Sequence, residues 1–176
     1  MLQITIPASE LWDEQNQKFI NKKEQTLVLE HSLVSLSKWE SKWCKPFISN
    51  KEHTREETLD YIRCMTITQN VDPEVYERMT DDYIDEINKY IGSKMTATWF
   101  TDKKKGKASS EQITSELIYY WMISLNIPFE CQKWHLNRLL TLVQVCNEKN
   151  QPPKKMSKRD TANQYRSLNA ARRKKR

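Results

Sequence analysis

The chain has 176 residues, with 29 Lys or Arg against 23 Asp or Glu, a formal net charge of +6, two glycines and four cysteines. That length supports one domain with a real core plus an extension. With only Gly92 and Gly106 available, glycine-rich phosphate loops are excluded, and P-loop and Rossmann nucleotide sites with them.

Charge is placed unevenly. From Gln151 onward ten basic residues face a single acid, Asp160, a net of +9, and the total of +6 therefore leaves −3 for residues 1–150. A basic tail on an acidic body points to a polyanionic or acidic partner. No apolar run approaches the ~20 residues of a membrane span. The opening LQITIPASELWDE lacks the basic start and apolar run of a secretory signal. Cys44, Cys64, Cys131 and Cys146 form no CxxC pair, so buried, reduced thiols in a soluble intracellular protein are expected.

In chain order, LQITI (2–6) alternates in polarity and predicts a strand ended by Pro7, and QTLVLE (25–30) predicts a second. The segment between them, with Trp12, Phe19 and Ile20, predicts a short strand or a loop turn. Leu33, Leu36, Trp39 (or Glu40) and Trp43 follow helical spacing, with Ser32 as cap and Pro46 as stop. Thr54 with Glu57 reads as a capping box, opening a helix through Leu59, Ile62, Met65 and Ile67. Asp72-Pro73 starts a short helix, and Thr80 caps another that ends near Gly92. MTATWF (95–100) is β-like, either a strand or an extended connector, and TDKKKGKASS is a polar loop.

The organising stretch runs from Ser109 to Lys149. Ser109 or Ser110 is the expected cap of a helix carrying Ile113, Leu117, Ile118, Trp121, Met122 and Leu125, which Pro128 ends near Asn126. A second helix, from Cys131 to the Pro152-Pro153 pair, carries Trp134, Leu136, Leu139, Leu140, Val143 and Cys146. So short a connection predicts an antiparallel core hairpin. The fold expected is α+β and mostly helical: a small N-terminal antiparallel sheet on a bundle of five or six helices in one domain, 1–150, with a basic tail, 151–176. Trp39, Trp43, Leu117, Trp121, Trp134, Leu136, Leu139, Leu140 and Val143 are its expected core. The tail is expected to be disordered when free and helical when bound, along the thin stripe of Ala162, Tyr165, Leu168 and Ala171.

Signals of chemistry are sparse. Cys131 and His135 stand four apart, a spacing two metal ligands can share, but zinc needs three or four and no second spaced pair exists. No metal or cofactor is therefore expected. Asp81, Asp82, Asp85 and Glu86 fit a solvated helix face better than a catalytic dyad, no catalytic signature is present, and no enzyme activity is expected. Trp39 and Trp43 beside Lys38, Lys42 and Lys45 can stack nucleic-acid bases, although core packing under lysine stems is the commoner use. The partner-binding residues expected are those of the tail: Lys154, Lys155, Lys158, Arg159, Tyr165, Leu168, Arg172, Arg173, Lys174, Lys175 and Arg176.

Three stretches, LEHSLVSLSKWESKWCKPF (29–47), TLDYIRCMTITQNVDP (58–73) and ELIYYWMISLNIPFECQKWHLNRLLTL (116–142), followed by PPKKMSKR, resemble small proteins of tailed-phage and prophage structural clusters. That group is similar to the tail assembly chaperones of long-tailed phages. The resemblance implies a non-catalytic protein that coats the tape-measure protein during tail assembly and self-associates. It further implies action in the host cytoplasm, absence from the finished virion, and frequent extension by a programmed frameshift. The alternative is a nucleic-acid-binding phage protein acting through the basic tail, and a small enzyme with an unrecognised site is the third class.

Overall fold

Two strands of alternating polarity, β1 (Leu2–Ile6) and β4 (Gln25–Leu29), pair antiparallel with Ile4 opposite Leu27 and Leu2 opposite Leu29. One face buries Ile4, Ile6, Leu27 and Leu29, each contributing about 1.5–3 kcal/mol by leaving water. On the other face Thr5 and Thr26 meet through their hydroxyls at 3.0 Å. The computed structural model describes residues 1–13, 17–49, 52–100, 112–150 and 158–174. The segment between β1 and β4 is a separate antiparallel hairpin, β2 (Ser9–Asp13) with β3 (Lys18–Lys22). Arg78 ties both ends of this excursion, donating to Pro7 O at 2.9 Å, Ser9 Oγ at 3.1 Å and Lys23 O at 3.5 Å.

The helices are α1 (Leu33–Trp43), α2 (Arg55–Met65), the single turn α3 (Glu74–Glu77), α4 (Asp81–Ile91), α5 (Ser115–Ser124), a 3-10 helix (Phe129–Lys133), α6 (Leu136–Asn150) and α7 (Lys158–Lys174). The fold is thus α+β and mostly helical, a small N-terminal antiparallel sheet with helices. Helix starts follow local chemistry. Ser32 Oγ accepts from Ser35 N while Ser35 Oγ accepts from Ser32 N, and Thr54 and Glu57 make the same reciprocal pair. Thr80 stands at the start of α4 without a side-chain cap bond.

Three expectations are corrected. The cap of α5 is Thr114, whose hydroxyl accepts from Leu117 N, and α5 begins at Ser115; Ser109 and Ser110 lie outside the described residues. The second helix is broken. After the 3-10 helix, Trp134 is extended, His135 bridges to Ser32, and Leu136 N donates to His31 O at 2.7 Å, so a tertiary contact restarts the helix at Leu136. Helix α2 stops at Met65, because the backbone beyond it joins the free edge of β4: Glu30 N donates to Met65 O and Ile67 N to Val28 O. Of the two readings of MTATWF, the structure has the connector and not the strand.

Helix α1, not a hairpin of the last two body helices, lies at the centre. It packs against α2, α5 and the 3-10 helix, and it is the main neighbour of α5. A first core cluster gathers the sheet with Trp39, Tyr61, Ile62, Met65, Val75, Met79 and Ile87. A second gathers Leu33, Leu36, Ile118, Met122, Ile127, Cys131, Leu136, Leu139 and Val143. Of the expected core residues, Trp39, Leu136, Leu139 and Val143 are buried, whereas Trp43, Leu117, Trp121, Trp134 and Leu140 are half-buried. The chain divides into two units, Met1–Cys146 and Asn147–Arg176. In the second, the described tail residues lie on helix α7, which carries the expected stripe of Ala162, Tyr165, Leu168 and Ala171.

Candidate functional site

Buried polar groups concentrate where β4 runs into α1. His31 is buried, with Nδ1 2.6 Å from the Tyr61 hydroxyl and its ring edge-on to His135 at 5.2 Å. His135 Nε2 donates to Tyr90 O at 3.1 Å while its Nδ1 accepts from Asn137 N at 3.3 Å, which defines a neutral imidazole protonated on Nε2. Tyr90 donates its hydroxyl to Glu30 at 2.7 Å, and the Met1 ammonium reaches the same carboxylate at 3.2 Å. Burial, helped by His135, pushes His31 down to about 3. Burial also lowers His135 and raises Tyr61 and Tyr90. All four groups are therefore held in their neutral forms, and the network joins the end of β4 to α2, α4 and the start of α6.

His135 is buried, and both its ring nitrogens are engaged. Among the described residues no group of three His, Cys, Asp or Glu is placed to hold a metal ion. The cysteines are free thiols, and only Cys131 is buried; Cys44 is exposed at the end of α1 in a left-handed turn. Burial raises the Cys64 and Cys131 thiols, which keeps them in the unreactive protonated form.

Trp39 is fully buried, with Nε1 donating to Glu57 O at 3.0 Å. Trp43 stacks on it at 5.9 Å, and Lys42 and Lys45 lie over the Trp43 ring. The lysines then close onto carboxylates: Lys42 and Trp43 Nε1 donate to Asp60, and Lys45 to Glu57. Burial pushes Asp60 up, but these bonds outweigh it and hold its carboxyl low. The Lys45 bond, with the Thr54 N–H, does the same for Glu57. Trp39 is thus core packing, and the half-buried Trp43 lies against it under the two lysines. Asp81, Asp82, Asp85 and Glu86 are exposed along α4, where Asp81 pairs with Arg55.

Sequence reasoning missed Glu40. Its buried carboxylate accepts from Phe47 N at 2.9 Å and from Ser115 N at 2.7 Å, so it caps α5 from α1 across 75 positions of sequence. No local signal marks such a contact. Also missed is the outer face of α5, where Tyr120 and Ile123 are exposed; Phe129, whose ring lies 6.5 Å from that of Tyr119, is exposed as well. Here a signal existed, because SELIYYWMIS has apolar residues around its whole circumference. Trp99 is exposed too, with the Lys94 ammonium 4.1 Å above its ring.

Of the tail residues, Lys158, Arg159, Tyr165, Leu168, Arg172, Arg173 and Lys174 fall on α7. Tyr165, Leu168, Arg172 and Arg173 are exposed, which puts positive charge and a short apolar stripe on one helix. Lys154, Lys155, Lys175 and Arg176 lie outside the described residues. No helix of the described residues is long and apolar enough to cross a membrane. No family model matches the chain, and neither a curated protein nor a solved structure matches it.

Proposed function

We propose that this chain is a non-catalytic tail assembly chaperone of a long-tailed phage or prophage, which binds the tape-measure protein while the tail is built. It acts in the host cytoplasm, in several associated copies, and leaves before the virion is complete. The observation that carries the reading beyond the sequence resemblance is the pairing of an apolar helix face on an acidic body with a basic helix that exposes Tyr165 and Leu168. Those are adhesive surfaces for helical protein partners. The second reading, nucleic-acid binding through the tail, draws on the six basic residues of α7.

Copurification of the full chain with the tape-measure-like product of the neighbouring gene, at low and high salt and beside a DNA control, separates the two. A protein complex held by apolar contact persists at high salt. Phosphate binding is blind to sequence and weakens by several tenfold steps as salt rises. A chain that captures DNA and not the tape-measure product overturns the chaperone reading.

A further inference from the structure

We infer that copies of this chain join head to tail, with α7 of one copy lying on the outer face of α5 in the next. The inference rests on the self-association proposed above, and names the two surfaces that make it. It does not depend on which protein the assembly serves.

One surface is the outer side of α5. Helix α5 buries Ser115, Ile118 and Met122 in the body, and on its opposite side Tyr120 and Ile123 are 63% and 62% exposed. Phe129, 53% exposed, extends the patch, since its ring lies 6.5 Å from that of Tyr119. A helix that is apolar all round is normally buried, and a contiguous exposed patch of this kind marks a contact surface. The flanks are acidic: Glu116 stands one turn before Tyr120 on the same side, and Glu130 follows Phe129, both exposed.

The complementary surface is α7. Its 17 residues hold six Lys or Arg against one Asp, with Tyr165 and Leu168 three apart and exposed. A helix of this length and polarity is marginal alone in water and gains from laying its stripe on an apolar surface. Apolar residues then meet apolar residues, and basic flanks meet Glu116 and Glu130 on a body of net charge −3. Each copy carries one half of the contact at each of two places. Such a heterologous contact does not stop at a dimer, but grows into a ring or an open row. An assembly of that kind suits the coating of a long partner.

Sedimentation of the full chain alone, over rising concentration, tests this. The average mass should climb past that of a dimer, and raising salt from low to moderate should weaken the association several-fold. Ile123→Asp and Leu168→Asp should each leave a monomer. An equal mixture of these two variants should form a one-to-one dimer and stop there, because each supplies the half-contact the other has lost. Circular dichroism checks folding, and Tyr120→Ser replaces Ile123→Asp if the charge unfolds the helix. The inference is overturned by a parent chain that stays monomeric, by variants that assemble like the parent, by a dimer that survives Leu168→Asp, or by a mixture that forms no heterodimer. A monomeric parent chain also removes the self-association proposed above, whereas the other results, obtained with no tape-measure protein present, leave the chaperone reading standing.

Discussion

The two core clusters share α1 and end differently. The first is enclosed by the sheet, α2, α3 and α4, and its edge carries paired charge: Asp60 with Lys42, and Glu57 with Lys45. The second is built from α1, α5, the 3-10 helix and α6, and it leaves Tyr120, Ile123 and Phe129 uncovered on its outer side. The contrast separates two uses of apolar residues. In the first cluster they are consumed in holding the chain together, and in the second some are left over for a partner.

Substitutions inside each cluster test that contrast most severely. Trp39→Ala should cost about 3–5 kcal/mol and Leu139→Ala about 2–5 kcal/mol, since both side chains are fully buried. Because α1 belongs to both clusters, each variant should shift a single denaturant transition. Two separate transitions in either variant would mean that the clusters unfold independently.

Glu40 is the link between them, and Glu40→Ala strips the acceptor from Phe47 N and Ser115 N. A loss of about 1–3 kcal/mol is expected, the range for leaving buried donors unpaired. Hydrogen exchange should rise first at the start of α5 and not in the sheet; uniform acceleration would place the effect elsewhere.

Acid should loosen the junction that the buried histidines make. The folded state holds His31 near 3, below its ordinary 6.5. As pH falls below about 6.5 the unfolded chain takes up a proton that the folded chain refuses, and stability declines by up to about 1.4 kcal/mol per pH unit for each such histidine. His135 is lowered as well and acts in the same direction. Glu57 and Asp60, also lowered, add their losses only through the carboxylate range below this window. Urea titrations between pH 5 and 7 should therefore show the slope, and His31→Gln should flatten it. An unchanged slope in that variant would remove His31 as its source.

The smallest effect is expected on the uncovered face. Tyr120→Ser should alter the stability of the dilute chain by less than about 0.5 kcal/mol, as exposed positions do. A loss like that of Leu139→Ala would show that this face is covered within the chain itself, and the contrast between the clusters would collapse.

What the sequence determined is what neighbours along the chain decide. Ser32 and Thr54 cap their helices because the acceptor and the free N–H lie three residues apart. The alternation in 2–6 and 25–29 places Ile4, Ile6, Leu27 and Leu29 on one face, whatever the rest of the fold does. The +9 of the tail is likewise a property of the sequence, and so is the apolar circumference of α5. Tertiary structure decided the rest, because a long-range hydrogen bond leaves no local trace. Ser32, His31 and Leu136 come together across more than 100 positions and break what periodicity marks as one helix. Helix α5 starts at Ser115 because Glu40 reaches its first N–H from α1. It ends at Ser124 because Asn126 turns left-handed and Ile127 N returns to Met122 O, while both side chains enter the second cluster. The β-like MTATWF finds no strand to pair with and forms none, since a strand is defined by its partner and not by its own residues.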